Sequence, residues 1–240
     1  MKYSKTLIKA GLAAVLLCGT LAKSSAVTYT VDPGATWLGF VNVFDVGGTG
    51  YGMGAAGGYQ FSSGWGTADL RATFSGPTLS LKANTIGDPN PYWYTPSGGP
   101  GAIGNKIVEA NFYQEFNVTL AGTTVNFTGN VLANSLLGPV DGAGRGWTAV
   151  AFIKDFAPDY SSSVNSFVPL TSLGTFNVTL NTINDPARHV QFGFQVIGPT
   201  VWAGDPLSVP SVDVVAVVPE PTTLALAGMG AALLVIRRRK

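Results

Sequence analysis

One cysteine, Cys18, and one histidine, His189, are all that the chain has of either residue. Cys18 lies in a segment read below as removable, so the mature chain has no thiol, which excludes disulfides, cysteine nucleophiles and thiolate metal centres together. A Ser-His-Asp triad or a multi-histidine zinc site would have to be built around His189 alone, and no Gly-x-Ser-x-Gly elbow accompanies it. Charge is scarce as well: 11% of the 240 residues are charged against 46% apolar, too hydrophobic a balance for an intrinsically disordered chain. Eight of the 14 basic residues sit at the two ends, and residues 27–218 hold six basic and twelve acidic side chains. That body is acidic, so a nucleic-acid surface is excluded. No window of a dozen body residues repeats every 3.6 positions, which removes helical bundles from the fold classes.

What remains is instructive at both ends. Residues 1–26 read as a secretory signal peptide, with basic Lys2, Lys5 and Lys9, an apolar run over 10–17, and small residues at Ser24 and Ala26 where a signal peptidase reads. Cleavage is expected after Ala26. The apolar run is too short to span a bilayer as a mature helix. Leu17 before Cys18 does not fit a lipobox.

The other end reads Val218-Pro219-Glu220-Pro221, then an apolar stretch over 222–236, then Arg237-Arg238-Arg239-Lys240. Pro219 and Pro221 keep the motif extended and accessible, and stop a helix from starting earlier. The apolar stretch falls short of the roughly 20 residues of a full span, and the terminal basic cluster is expected to stay in the cytoplasm. Over these last residues the chain resembles the PEP-CTERM sorting signal of Gram-negative bacteria: a Pro-Glu-Pro motif, one transmembrane helix and a basic tail. The resemblance implies an exported precursor held at the inner membrane, an exosortase-type processing enzyme as partner beside signal peptidase, and release to the cell surface or an extracellular matrix associated with exopolysaccharide. Pro219, Glu220, Pro221, Arg237, Arg238, Arg239 and Lys240 are its sorting residues. A plain C-terminal anchor is the alternative.

Between the ends, Val, Ile, Thr, Phe and Tyr recur in short alternating runs divided by Gly, Pro, Asn and Asp. Strands are expected at 37–46, 68–74, 78–83, 116–120, 123–132, 147–155, 174–180, 189–197 and 211–217. This predicts an all-β domain over 27–217, an antiparallel β-sandwich or jelly roll, flanked by an N-terminal signal helix and by a C-terminal sorting signal over 218–240 that includes a transmembrane helix. The run Phe116-Asn117-Val118-Thr119-Leu120 recurs at 176–180, and both copies are expected to be strands with Phe, Val and Leu inward. Residues 84–105 and 156–166 read as surface loops.

Few side chains in this body announce chemistry. Residues 52–57 satisfy G-x-G-x-x-G, but Tyr59, Gln60 and Phe61 continue toward a strand instead of opening the helix that holds a pyrophosphate. Glu109, Glu115, Asp141, Asp155 and Asp159 are carboxylates available for glycosidase work, with nothing in the sequence to pair them. Asp155 and Asp159 flank an oxygen-rich turn and form a weak calcium candidate; no cofactor is expected. Tyr92, Trp93 and Tyr94 are the candidate glycan platform, since flat rings stack on sugar faces; the competing reading is that the aromatic residues plug the core. The body is accordingly expected to be a non-enzymatic structural protein, alternatively a carbohydrate-binding module, and third a glycan-processing enzyme.

Overall fold

The computed structural model describes residues 26–47, 58–117 and 119–217. Residues 1–25 of the expected signal peptide, the expected sorting signal from Val218 onward, the glycine-rich stretch over 48–57 and Val118 lie outside them. The strands, in chain order, are β1 (Ala26–Thr30), β2 (Leu38–Asp45), β3 (Tyr59–Gly64), β4 (Ala72–Ser75), β5 (Thr78–Lys82) and β6 (Thr85–Ile86). They continue with β7 (Tyr94–Thr95), β8 (Ile103–Gly104), β9 (Lys106–Asn117), β10 (Thr124–Asn134) and β11 (Thr148–Phe156). The last are β12 (Ser163–Pro169), β13 (Gly174–Asn181), β14 (His189–Pro199), β15 (Val201–Trp202) and β16 (Ser211–Val215). One 3-10 turn, Pro206–Ser208, is the sole helical element among the described residues, and none of their helices is long and apolar enough to cross a membrane.

Two six-stranded sheets carry the body. The first runs β1-β10-β16-β5-β4, with β13 on the other side of β10; the second runs β12-β11-β14-β9-β2-β3. Alternation explains the first sheet: Leu79 and Leu81 of β5, Val125 and Phe127 of β10, Val178 of β13, and Val212 and Val214 of β16 point inward and are buried, while Thr, Asn and Ser between them face outward. Rings from the second sheet meet them. Phe192 of β14 stacks on Tyr29 of β1 at 4.4 Å, Phe194 lies edge-on to Phe127 at 5.2 Å and to Phe176 of β13 at 5.7 Å. Each fully buried side chain of this size stabilises the fold by roughly 1.5–3 kcal/mol, so this shared aromatic layer joins the sheets. Trp37, in the crossing from β1 to β2, lies flat on Phe112 of β9 at 4.4 Å and donates its indole N–H to Asp32 O at 2.8 Å.

Several expectations are corrected. The first sheet is mixed, since β1 runs parallel to β10, while the second is antiparallel throughout; β15 and β6 form a separate parallel pair. Along β10, residues 124–128 pair with β1 and 130–134 with β16, so these two strands lie end to end in one lane. The first Phe-Asn-Val-Thr-Leu run is not a strand throughout: β9 ends at Asn117, Thr119 and Leu120 are in a turn, and only the copy in β13 is extended to its end. Residues 68–71 form a turn before β4, with Arg71 at φ +58. Of the two expected loops, 84–105 contains the short strands β6, β7 and β8, of which β7 and β8 pair with each other and β6 pairs with β15, and 156–166 is a tight turn over 157–162 flanked by the end of β11 and the start of β12. Ser163, Asn165 and Ser166 of β12 hid that edge strand, because their polarity is paired across to β11 and not buried.

Candidate functional site

Behind the aromatic layer, the outward face of the second sheet forms a groove of about 590 Å³. Strand register builds it. Opposite Lys154 of β11 stands Gln191 of β14, and opposite Gln191 stands Glu115 of β9; four positions along, Gln195 faces Asn111, which faces Phe40 of β2. Between these rows Gly193 lies opposite both Phe152 and Tyr113. A Cβ on Gly193 would fall 2.1 Å from Phe112 O, so only glycine permits the close approach of β14 to β9 there.

The floor is a hydrogen-bonded lattice of side chains. Lys154 Nζ donates to Asn111 Oδ1 at 2.8 Å, and Gln195 Nε2 donates to the same oxygen at 2.9 Å. Asn42 Nδ2 and Asn111 Nδ2 donate to Glu109 Oε1 at 2.8 and 3.3 Å. At the other end Gln191 Nε2 donates to Glu115 Oε2 at 2.6 Å, and the Tyr160 hydroxyl donates to Glu115 Oε1 at 3.0 Å. Tyr160 is held at φ +57 and stacks on His189 at 4.4 Å; burial and the Glu115 carboxylate push its phenol up to about 12. Burial pulls the Lys154 ammonium down to about 8, against a smaller opposing pull from Glu109. The Phe152 ring lies under that ammonium, 4.2 Å away.

The expected aromatic platform is not flat. Tyr94 is fully buried, with its hydroxyl 2.6 Å from Ile86 O and 2.8 Å from Val201 O while accepting from Ile86 N–H at 3.2 Å. Trp93 packs against the core with its ring edge-on to Phe61 at 6.2 Å, and Tyr92 stands at 90° to it. The face of Tyr92 is covered by the Lys106 ammonium at 4.1 Å, itself paired with Asp45. Trp147 is buried with its N–H on Pro199 O, and Trp37 and Trp65 also pack on the core, so the aromatic side chains mostly fill the interior.

Asp155 and Asp159 are not brought together either. Asp155 faces the core side, where Arg188 Nε and Ile183 N–H occupy its two oxygens at 2.8 and 2.7 Å; Asp159 caps the exposed turn through Ser161, which holds its carboxyl below the usual range. Among the described residues no three His, Cys, Asp or Glu side chains gather as a metal centre. Glu109 and Glu115 share the groove face, but six residues of strand place them about 20 Å apart, against the roughly 5–9.5 Å of a glycosidase pair. His189 sits at the rim, its Nδ1 3.8 Å from Glu115. The groove itself was missed in the sequence. Its signal was there, in the period-two polar series Glu109, Asn111, Tyr113, Glu115 and Gln191, Gly193, Gln195 running opposite a hydrophobic face.

Residues 217–240 match the family described as the PEP-CTERM protein-sorting motif. Only Val217 of that segment is among the described residues. No curated protein and no solved structure matches the chain.

Proposed function

We infer from the match of residues 217–240 to the PEP-CTERM sorting motif that this is an exported protein, anchored as a precursor by its C-terminal segment and processed by an exosortase. From that premise we propose that the chain is a non-enzymatic structural component of the cell surface or of an extracellular, exopolysaccharide-associated matrix, its body a jelly-roll-like β-sandwich and its tail an address removed on arrival. The observation that carries this reading is the motif itself, set directly behind a β-body whose last strand ends at Val215. Signal peptidase cuts near Ala26, and the exosortase-type enzyme acts at Pro219-Glu220-Pro221. Intact-mass analysis of the protein isolated from its host tests this. The expected product runs from about Val27 to the motif; a surface protein that retains 222–240 would leave a plain anchor in place of the sorting role.

A second reading, a carbohydrate-binding ectodomain, is favoured by the groove on the second sheet. The loop bearing Tyr92, Trp93 and Tyr94 presents no coplanar platform, because Tyr94 is buried and the half-buried rings of Tyr92 and Trp93 stand at 90° to one another. Concave sites of about 300–1,000 Å³ lined by rings and a few fixed polar groups are typical of small-ligand recognition, and the groove fits that description in volume and lining.

A further inference from the structure

Of the buried or half-buried cations of this body, Lys106, Arg145 and Arg188 each have a carboxylate oxygen within 2.9 Å, whereas Arg71, Lys82 and Lys154 have no ion pair among the described residues, and of these three only Lys154 lines the groove. Its ammonium carries three N–H donors, directed to the neutral Asn111 Oδ1 at 2.8 Å and over the rings of Phe152 and Phe167 at 4.2 and 5.8 Å. A cation withdrawn from water without a counter-ion is unfavourable, and this one lines an open groove. The missing charge has room to arrive with a ligand.

We propose that the groove binds a hydroxyl-rich ligand bearing one carboxylate, a uronic-acid residue within a polysaccharide, with that carboxylate on the Lys154 ammonium. The proposal rests on the binding reading of the groove. Its surroundings select this chemistry over other anions. The titratable groups facing Lys154 are Glu109, Tyr113 and Glu115 from β9, His189 from β14 and Tyr160 from the β11–β12 turn; β2 and β12 present only Leu38, Phe40, Asn42, Asn165 and Phe167 toward it. Two carboxylates at the ends of the groove repel a phosphate or sulfate dianion more than a single carboxylate. Their oxygens accept from neutral donors, and side-chain amides with neighbouring carboxylates match sugar hydroxyls. Phe40, Tyr113 and Tyr160 offer ring surface to the C–H face of a sugar. The depressed ammonium pKa adds a consequence: the site loses its charge as pH rises through about 8, and with it the ligand carboxylate.

The test is calorimetric titration of the full chain with trimers of galacturonic, glucuronic and mannuronic acid, the neutral hexose trimers matching each, and the uronate monomers, at pH 6.5 and 9.5. One uronate trimer should bind at least ten-fold more tightly than its neutral counterpart at pH 6.5, and more tightly than its monomer. The preference should vanish at pH 9.5 and in Lys154→Met. Equal affinity for acidic and neutral trimers would overturn the carboxylate assignment and leave the binding reading standing; no saturable binding to any trimer would overturn both. A monomer binding as tightly as its trimer would overturn the polymeric ligand. A preference that survives in Lys154→Met, with near-ultraviolet circular dichroism unchanged, would place the carboxylate elsewhere and overturn the proposal. If Lys154→Met does not fold, the comparison of the two pH values in the unaltered chain decides alone.

Discussion

At Lys154 the ordinary ammonium value of 10.5 falls to about 8 because burial strips water from the charged form. Between those values the unfolded chain binds more protons than the folded one, so stability rises with pH across that window; below about 8 the penalty is present in full. The shift sets a ceiling of about 3 kcal/mol on the gain. Urea denaturation should show the unaltered chain gaining stability from pH 7.5 to 10, and Lys154→Met losing that dependence while standing about 1–3 kcal/mol more stable at pH 7, as replacement of an uncompensated buried charge by a hydrophobic side chain predicts. A flat profile in the unaltered chain would contradict the assignment. Tyr94 makes the opposite argument. Its hydroxyl serves the backbone of both Ile86 and Val201, so Tyr94→Phe preserves the ring and leaves buried peptide groups unpaired, at a cost of about 1–3 kcal/mol by the same denaturation measurement.

Among the elements, β14 leaves no room for a side chain against β9 at Gly193. Gly193→Ala should destabilise by more than about 2 kcal/mol, since its Cβ would sit 2.1 Å from Phe112 O and main-chain atoms must move to relieve it; thermal unfolding that leaves the midpoint unchanged would refute this. The same pair of strands shows what a sequence can reveal. β5, β10, β13 and β16 were legible because one face is buried and the other is Thr, Ser or Asn, so hydrophobicity alternates cleanly. β9 was not legible over 106–115. Lys106, Glu109, Asn111, Gln114 and Glu115 are weak strand formers, and they are held there by partners on β2, β11 and β14 that local sequence does not display. The groove was hidden for the same reason, being made by register between strands far apart in the chain. Tyr92, Trp93 and Tyr94 misled in the other direction: three adjacent rings suggest a surface, yet alternating orientation in a short strand sends Tyr94 inward.

For the molecule as a whole, the ends and the body divide the work. Basic residues cluster at 2–23 and at 237–240, the latter within the segment that matches the sorting motif, and what lies between is an acidic all-β body. The lane beside β10 is shared by the first and last long-range strands of that body, β1 and β16, and β16 lies between β10 and β5 inside the first sheet. Synthesis and translocation deliver β16 last. Until residues 211–215 emerge, β10 and β5 have no common neighbour and the inward Leu79, Leu81 and Val131 lack the cover of Val212 and Val214. Three residues, and so at most about 14 Å of extended chain, then separate Val215 from Pro219. The body therefore closes only once its last described strand has emerged, a few residues ahead of the Pro-Glu-Pro of the segment that matches the sorting motif. Exported chains truncated before Ser211 should be degraded by added protease, and chains truncated after Val217 should resist it.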